Sequence, residues 1–134
     1  MTQMIFVNLP VTDLPRSKAF YEALGFSINE KFSNDEAACV VLSDTIYLMI
    51  LTHKFFEGFA PHPIADSTKS TGAIFAISCE DRAAVDMMMD AVVANGGHDN
   101  DKVQDMDGFM YSRSFRDPDG HVFEPMWMNP EAMA

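Results

Sequence analysis

Few side chains in this sequence are both reactive in type and grouped in spacing. Ser112 and Ser114 alternate on one strand and so share a face, while their neighbours Tyr111, Arg113 and Phe115 face the other way. Arg113 among those apolar residues requires an acidic partner or an edge position. Met126 and Met128 alternate near the C-terminal end and offer either core packing or a plastic apolar pocket. His53, His62, His98 and His121 have no metal-like spacing and are expected as exposed loop or turn residues. Cys39 and Cys79 each sit in an apolar run and read as buried, reduced thiols, since two isolated cysteines make neither a disulfide framework nor a zinc motif. Asp117-Pro118-Asp119-Gly120 is a turn by chemistry alone. Proline fixes φ, glycine takes a positive φ, and the carboxylates bond nearby N–H groups.

The elements that must position these groups follow from periodicity. Gln3 to Val11 is β-branched and apolar, with Pro10 limiting it to a strand end or sheet edge. Asp13 caps a helix that tolerates Pro15 in its first turn, carries Ala19, Phe20, Ala23 and Leu24 at helical spacing, and stops at Gly25. Strands are predicted over Phe26 to Phe32, Ala37 to Leu42 and Thr45 to Thr52, the last apolar on both faces and central. The pattern then restarts. Gly72 to Cys79 is a strand, and Asp81 opens a helix to Asn95 with Val85, Met88, Met89, Val92 and Val93 on one face. Met87 to Met89 read as core filler. Gly96-Gly97 stops this helix. Strands follow around His98 to Val103, Phe109 to Arg116 and His121 to Met128. The order is β-α-β-β-β twice, an internal repeat with Asp13 matching Asp81 and Gly25 matching Gly96. The expected organisation is one α+β domain, 1–134, of modules 1–52 and 72–134 joined by linker 53–71. That linker holds Phe55, Phe56 and Phe59 and reads as a lid, a dimer arm or a packed crossover.

The chain has 134 residues, 48% of them apolar, enough for a core. Nine basic against 20 acidic residues give a formal charge of −11. That charge argues against nucleic acid and anionic membrane partners. No apolar run reaches the ~18 residues of a membrane span. Met1 to Val7 lack the basic start of a signal peptide. A soluble, cytoplasmic protein is expected.

Two stretches identify a family. Val11-Thr12-Asp13-Leu14, followed by Ser17-Lys18-Ala19-Phe20-Tyr21 and Leu24-Gly25-Phe26, resembles the opening of the vicinal oxygen chelate superfamily, which includes glyoxalase I, bleomycin- and fosfomycin-resistance proteins and extradiol dioxygenases. Asp117 to Gly120 with Glu124 resembles its second signature. The closing Met126-Trp127-Met128-Asn129-Pro130 is similar to small bacterial predicted lactoylglutathione lyases. The resemblance implies two βαβββ modules that form a half-open barrel with helices on the convex face and a cleft on the concave one. It also implies four metal-ligand positions. Five residues before Val11 stands Phe6, and five before Cys79 stands Ile74. The third position falls at Ile50 or Leu48, and the fourth is Glu124. A shift of register would bring in Asn8 from the other face of its strand. Only Glu124 can hold a metal, so no metal or other cofactor is expected.

The resemblance makes Phe6, Asn8, Ile50, Ile74, Ser112, Ser114 and Met126 the lining of a largely apolar pocket. Glu124 is then a candidate acid or base in an apolar setting, or simply a retained acid bonded to a neighbouring strand. The catalytic tyrosine of extradiol dioxygenases is replaced by Ser114. The favoured reading is a glyoxalase/bleomycin-resistance-like protein that binds a small molecule, with a cationic ligand suited to an acidic chain, and a homodimer. The alternatives are a glyoxalase I-like lyase or isomerase working through Glu124 with an atypical divalent metal or none, and, less favoured, an extradiol-type dioxygenase.

Overall fold

The computed structural model describes residues 2–133, with side chains through Glu131. The chain divides into two compact units, Met1–Asp66 and Ser67–Ala134. Each is a βαβββ module. The first runs β1 (Ile5–Val11), α1 (Leu14–Ala23), β2 (Ser27–Asn29), β3 (Ala37–Val41) and β4 (Ile46–Thr52), then a one-turn helix α2 (His53–Glu57). The second runs β5 (Ile74–Ser78), α3 (Arg82–Ala94), β6 (His98–Met106), β7 (Met110–Arg116) and β8 (Val122–Met128). The sheets are open and mixed, in the orders β1-β4-β3-β2 and β5-β8-β7-β6. In each, the first strand pairs parallel to the last, and the remaining pairs are antiparallel. The internal repeat is therefore a repeat of topology.

The helix signals act as read. Asp13 accepts a hydrogen bond from Arg16 N at 3.1 Å, and Asp81 accepts one from Ala84 N at 2.7 Å. Both oxygens satisfy amides that the first helical turn leaves unpaired. Gly25 and Gly96 follow the helix ends with φ of +101° and +93°, where a side chain is strained. β4 is central, as its two apolar faces imply.

Four details differ from the sequence reading. The buried stripe of α1 is Leu14, Ser17, Phe20 and Tyr21, while Ala19 and Ala23 are exposed. Small alanines leave the larger Phe20 and Tyr21 to set the rotation of the helix. β2 is only three residues, because Asn29 accepts from Lys31 N at 3.1 Å and turns Glu30–Phe32 into a 3-10 helix. On α3, Val85, Met89 and Val92 are buried, but Met87 and Val93 are 71% and 58% exposed, so the methionine run is not all core. The linker begins with α2, capped by Thr52 Oγ1 on Phe55 N at 3.3 Å. Among the described residues no helix is long and apolar enough to cross a membrane.

Candidate functional site

Side chains alternate along a strand, so register decides which candidates share a face. In the first module Leu9, Val11, Leu48, Ile50, Ala38 and Val40 are all buried and stand on one face of the sheet. Phe6 and Asn8 stand on the opposite face. Phe6 pairs with Tyr47, and their rings stack with centroids 4.6 Å apart and planes 9° from parallel. Asn8 pairs with Met49, and its amide donates to Phe6 O at 3.2 Å.

This placement corrects two readings. Asn8 shares its face with Phe6, because two residues along a strand restore the same side. Ile50 does not. It pairs with Leu9 and Ala38, is fully buried, and belongs to the core with Leu48. β4 is apolar on both faces, so hydrophobic pattern alone carried no parity for it. The side chains that neighbour Phe6 and Asn8 on β4 are Tyr47 and Met49. Tyr47 is the residue that sequence reasoning missed. Pairing the strands in parallel and matching Phe6 to its neighbour on β4 would have found it.

In the second module α3 covers one face. Phe123 lies between Phe75 and Phe115 there, with ring centroids 5.4 and 5.2 Å away. Tyr111 and Arg113 point to the same side, as expected. Arg113 has the acidic partners its surroundings demand, Asp86 at 3.0 Å and Asp99 at 2.8 Å. Tyr111 Oη donates to Asp86 at 2.6 Å. Arg82 lies 4.3 Å over the Tyr111 ring and binds Asp105 through both terminal nitrogens, at 2.9 and 2.7 Å.

The Tyr111 hydroxyl, and then Arg113, hold the Asp86 carboxyl below its ordinary value, and the Arg82 bond does the same for Asp105. Asp86 in turn pushes the Tyr111 phenol up. Ionised Asp86 and Asp105 therefore favour the fold above their unfolded pKa of about 3.9, and that gain is lost as pH falls through their lowered folded values. The neutral Tyr111 favours the fold below its unfolded pKa of about 10, and this gain is lost as pH rises through its raised folded value. Asp86→Asn is expected to flatten both limbs of a plot of urea midpoint against pH. Limbs as steep as those of the wild type would remove Asp86 from the account.

The face turned away from α3 gathers Glu124, Ile74, Ser112, Ser114 and Met126. Ser112 pairs with Met126, Ala76 pairs with Glu124, and the β7–β8 register puts Ser114 opposite Glu124. Ile74 is 59% exposed, Glu124 and Met126 are half-buried, and both serines are buried. A bulge in β6 between Asp99 and Val103 contains Asp101, which has φ +57°. Asn100 follows Asp99, which pairs with Phe115 on the α3 side, so alternation puts Asn100 on this face, where its amide donates to Ser114 Oγ at 2.8 Å and its carbonyl accepts from Arg116 Nε at 2.7 Å. Neither Asn100 nor Arg116 was singled out from the sequence. A polar stretch with two extra residues gives no sign of where it bulges.

The other chemistry-bearing residues fall elsewhere. His53, His62 and His98 are exposed, but His121 is only 7% exposed, against expectation. It is drawn in by the turn, since Asp117 Oδ1 accepts from His121 N at 2.8 Å and from Asp119 N at 3.0 Å. Cys39 is buried, Cys79 only partly, and burial pushes both thiols up. Two surface hollows of about 330 and 420 Å³ lie on the first module, one beside Leu14, Lys18 and Asp35, the other beside Met4 and Ile46. Neither includes a candidate residue.

The donor chemistry does not fit the metal that the superfamily's ligand positions imply. Phe6 and Ile74 offer no lone pairs, Ile50 and Leu48 are in the core, and Tyr47 spends its hydroxyl on Asp44 O at 2.7 Å. Glu124 is one carboxylate, with two oxygens at most, where a site needs at least three donors that converge. Among the described residues no group of three His, Cys, Asp or Glu is placed to hold a metal ion.

Residues 3–43 match the family described as bleomycin resistance protein-like N-terminal. With the βαβββ repeat, this gives the first module a bleomycin-resistance-type sequence and the chain the fold of the vicinal oxygen chelate superfamily, the glyoxalase, bleomycin resistance and dioxygenase proteins. A hypothetical protein from S. aureus is similar at 25% identity and TM-score 0.79, over 95% of each chain. A glyoxalase-related enzyme from Fulvimarina pelagi is similar at 22% identity and TM-score 0.79, over 97% of this chain and 90% of its own. The bleomycin resistance determinant encoded on the transposon Tn5 is similar at 20% identity and TM-score 0.63, over 96% of this chain and 99% of its own. No match to the sequence was found among curated proteins.

Proposed function

We infer that this protein binds a small, partly apolar molecule and has given up the superfamily's metal. The observation that carries the reading is the state of Phe6 and Ile74. Both stand at metal-ligand positions of the resemblance, both are hydrocarbon, and they are 47% and 59% exposed. Large apolar side chains left in water at those positions suit contact with an apolar ligand surface. Within the first unit Tyr47 stacks on Phe6, and within the second the flexible Met126 shares a face with Ile74, so each unit carries an apolar patch of its own. The bleomycin-resistance match of the first module supports a binding role. The working form is proposed to be a cytoplasmic homodimer.

Protein produced with added zinc, nickel and iron is expected to carry far less than one equivalent of metal. Stoichiometric metal lost on Glu124→Gln would overturn the metal-free reading. A panel of small apolar molecules is expected to include some that raise the melting temperature, because a ligand that binds only the native state stabilises it. Ile74→Asp is expected to abolish those shifts. Turnover of a panel member that stops in Glu124→Gln would instead favour the lyase or isomerase reading.

A further inference from the structure

The face turned away from α3 also holds a cation kept free of carboxylates. Arg82 and Arg113 are both neutralised, by Asp105 and by Asp86 with Asp99. Arg116 is exposed, and among the described residues its partner is the neutral Asn100, which takes only Nε. The two terminal nitrogens, the fork that fits an oxyanion with two parallel bonds, are left available. The head is also oriented. Asn100 is fixed in turn by Ser114 at 2.8 Å, and it directly follows the Asp99–Phe115 pair of the β6–β7 ladder. In a chain with 20 acidic residues, an arginine held in this way is poised for an anion from outside the protein.

We propose that Arg116 anchors the oxyanion of the ligand, a carboxylate or phosphoryl group, with Asn100 as a positioning residue. This rests on the small-molecule reading above and reverses the cationic ligand expected from net charge. Net charge acts through solvent and is screened over about 8 Å, whereas recognition is local. The apolar part of the ligand then runs over Val122, Met126 and Ile74 on β8 and β5. Glu124, opposite Ser114, meets a hydrogen-bond donor on the ligand rather than its anion.

The test uses the full chain and probes of one body with different heads: phenylacetate, phenylphosphonate, phenethylammonium and 2-phenylethanol, with inorganic phosphate as a head without a body. Binding is read from NMR shifts of the Met126 methyl and the Arg116 Nε–H. At least one aromatic anion is expected to bind about tenfold more tightly than the amine and the alcohol. Which of the two wins distinguishes carboxylate from phosphoryl recognition, and inorganic phosphate is expected to bind more weakly than either. R116Q is expected to erase the preference and leave alcohol binding unchanged. R116K should keep part of it, and N100A should weaken the anions but not the alcohol. Equal binding of anion, amine and alcohol, or a preference that survives R116Q, overturns the anion anchor and leaves the small-molecule reading standing. No binding by any probe overturns both.

Discussion

Gly120→Ala is expected to be among the most damaging single substitutions in this protein. Gly120 has φ +92°, and an added Cβ would lie 2.5 Å from Ser67 O and 2.8 Å from Ser67 C. Both obstacles are backbone and cannot swing aside. Left-handed strain and a forced backbone shift together cost about 3 kcal/mol, read as a fall in urea midpoint with an unchanged slope. The turn has no slack to absorb the change. Asp117 is fully buried and holds the amides of Asp119 and His121, and its own amide bonds His121 O at 2.9 Å. A variant as stable as the wild type would mean that the Ser67 segment moves freely. Gly25→Ala is the control, because nothing lies within 4 Å of the added Cβ there and only the strain of φ +101° remains.

Phe123→Ala is expected to cost about 4 kcal/mol. Phe123 is 1% exposed and lies parallel to Phe115, 11° apart, with Phe75 on its other side. Removing the ring opens a void walled by two rigid aromatics on neighbouring strands, and strands held by a ladder collapse poorly into such a void. Phe123→Leu fills most of the space and is expected to cost less than half as much. Equal losses for the two variants would place the effect outside packing. Phe123 shares its strand with Glu124, so the same β8 that carries the candidate acid also pins the sheet to α3.

Much of the architecture was legible because its signals are local. Asp13, Asp81, Gly25 and Gly96 mark helix ends by chemistry that needs no partner elsewhere in the chain. The Asp-Pro-Asp-Gly turn announces itself for the same reason. What was not legible depends on pairing. Ile50 could not be assigned to a face until Leu9 was placed beside it. The importance of Gly120 depends on Ser67, more than 50 residues away in sequence. Arg116 gained meaning only when the pairing of β6 with β7 set Asn100 within reach of it. Of the candidate residues, Ser112, Ser114, Glu124 and Met126 on β7 and β8 share one face because they alternate cleanly. Ile50 on β4 does not share the face of Phe6, and that strand, apolar throughout, gave no sign of it.

The β6 bulge has an effect on the company the sheet keeps. β6 and β2 are the outer strands at one side of their sheets, and β1 and β5 at the other. An outer strand with a straight row of unpaired amides invites another chain to add on and start an aggregate. Here each is blunted differently: β2 by being three residues long, β5 by being five, β1 by Pro10, which has no amide to give. β6 is nine residues long and would be the most inviting. Its bulge breaks the row midway, and Asp101 within the bulge puts a carboxylate where an incoming copy of the same strand would have to pair. The irregularity that follows Asn100 also keeps the longest edge from recruiting its neighbours.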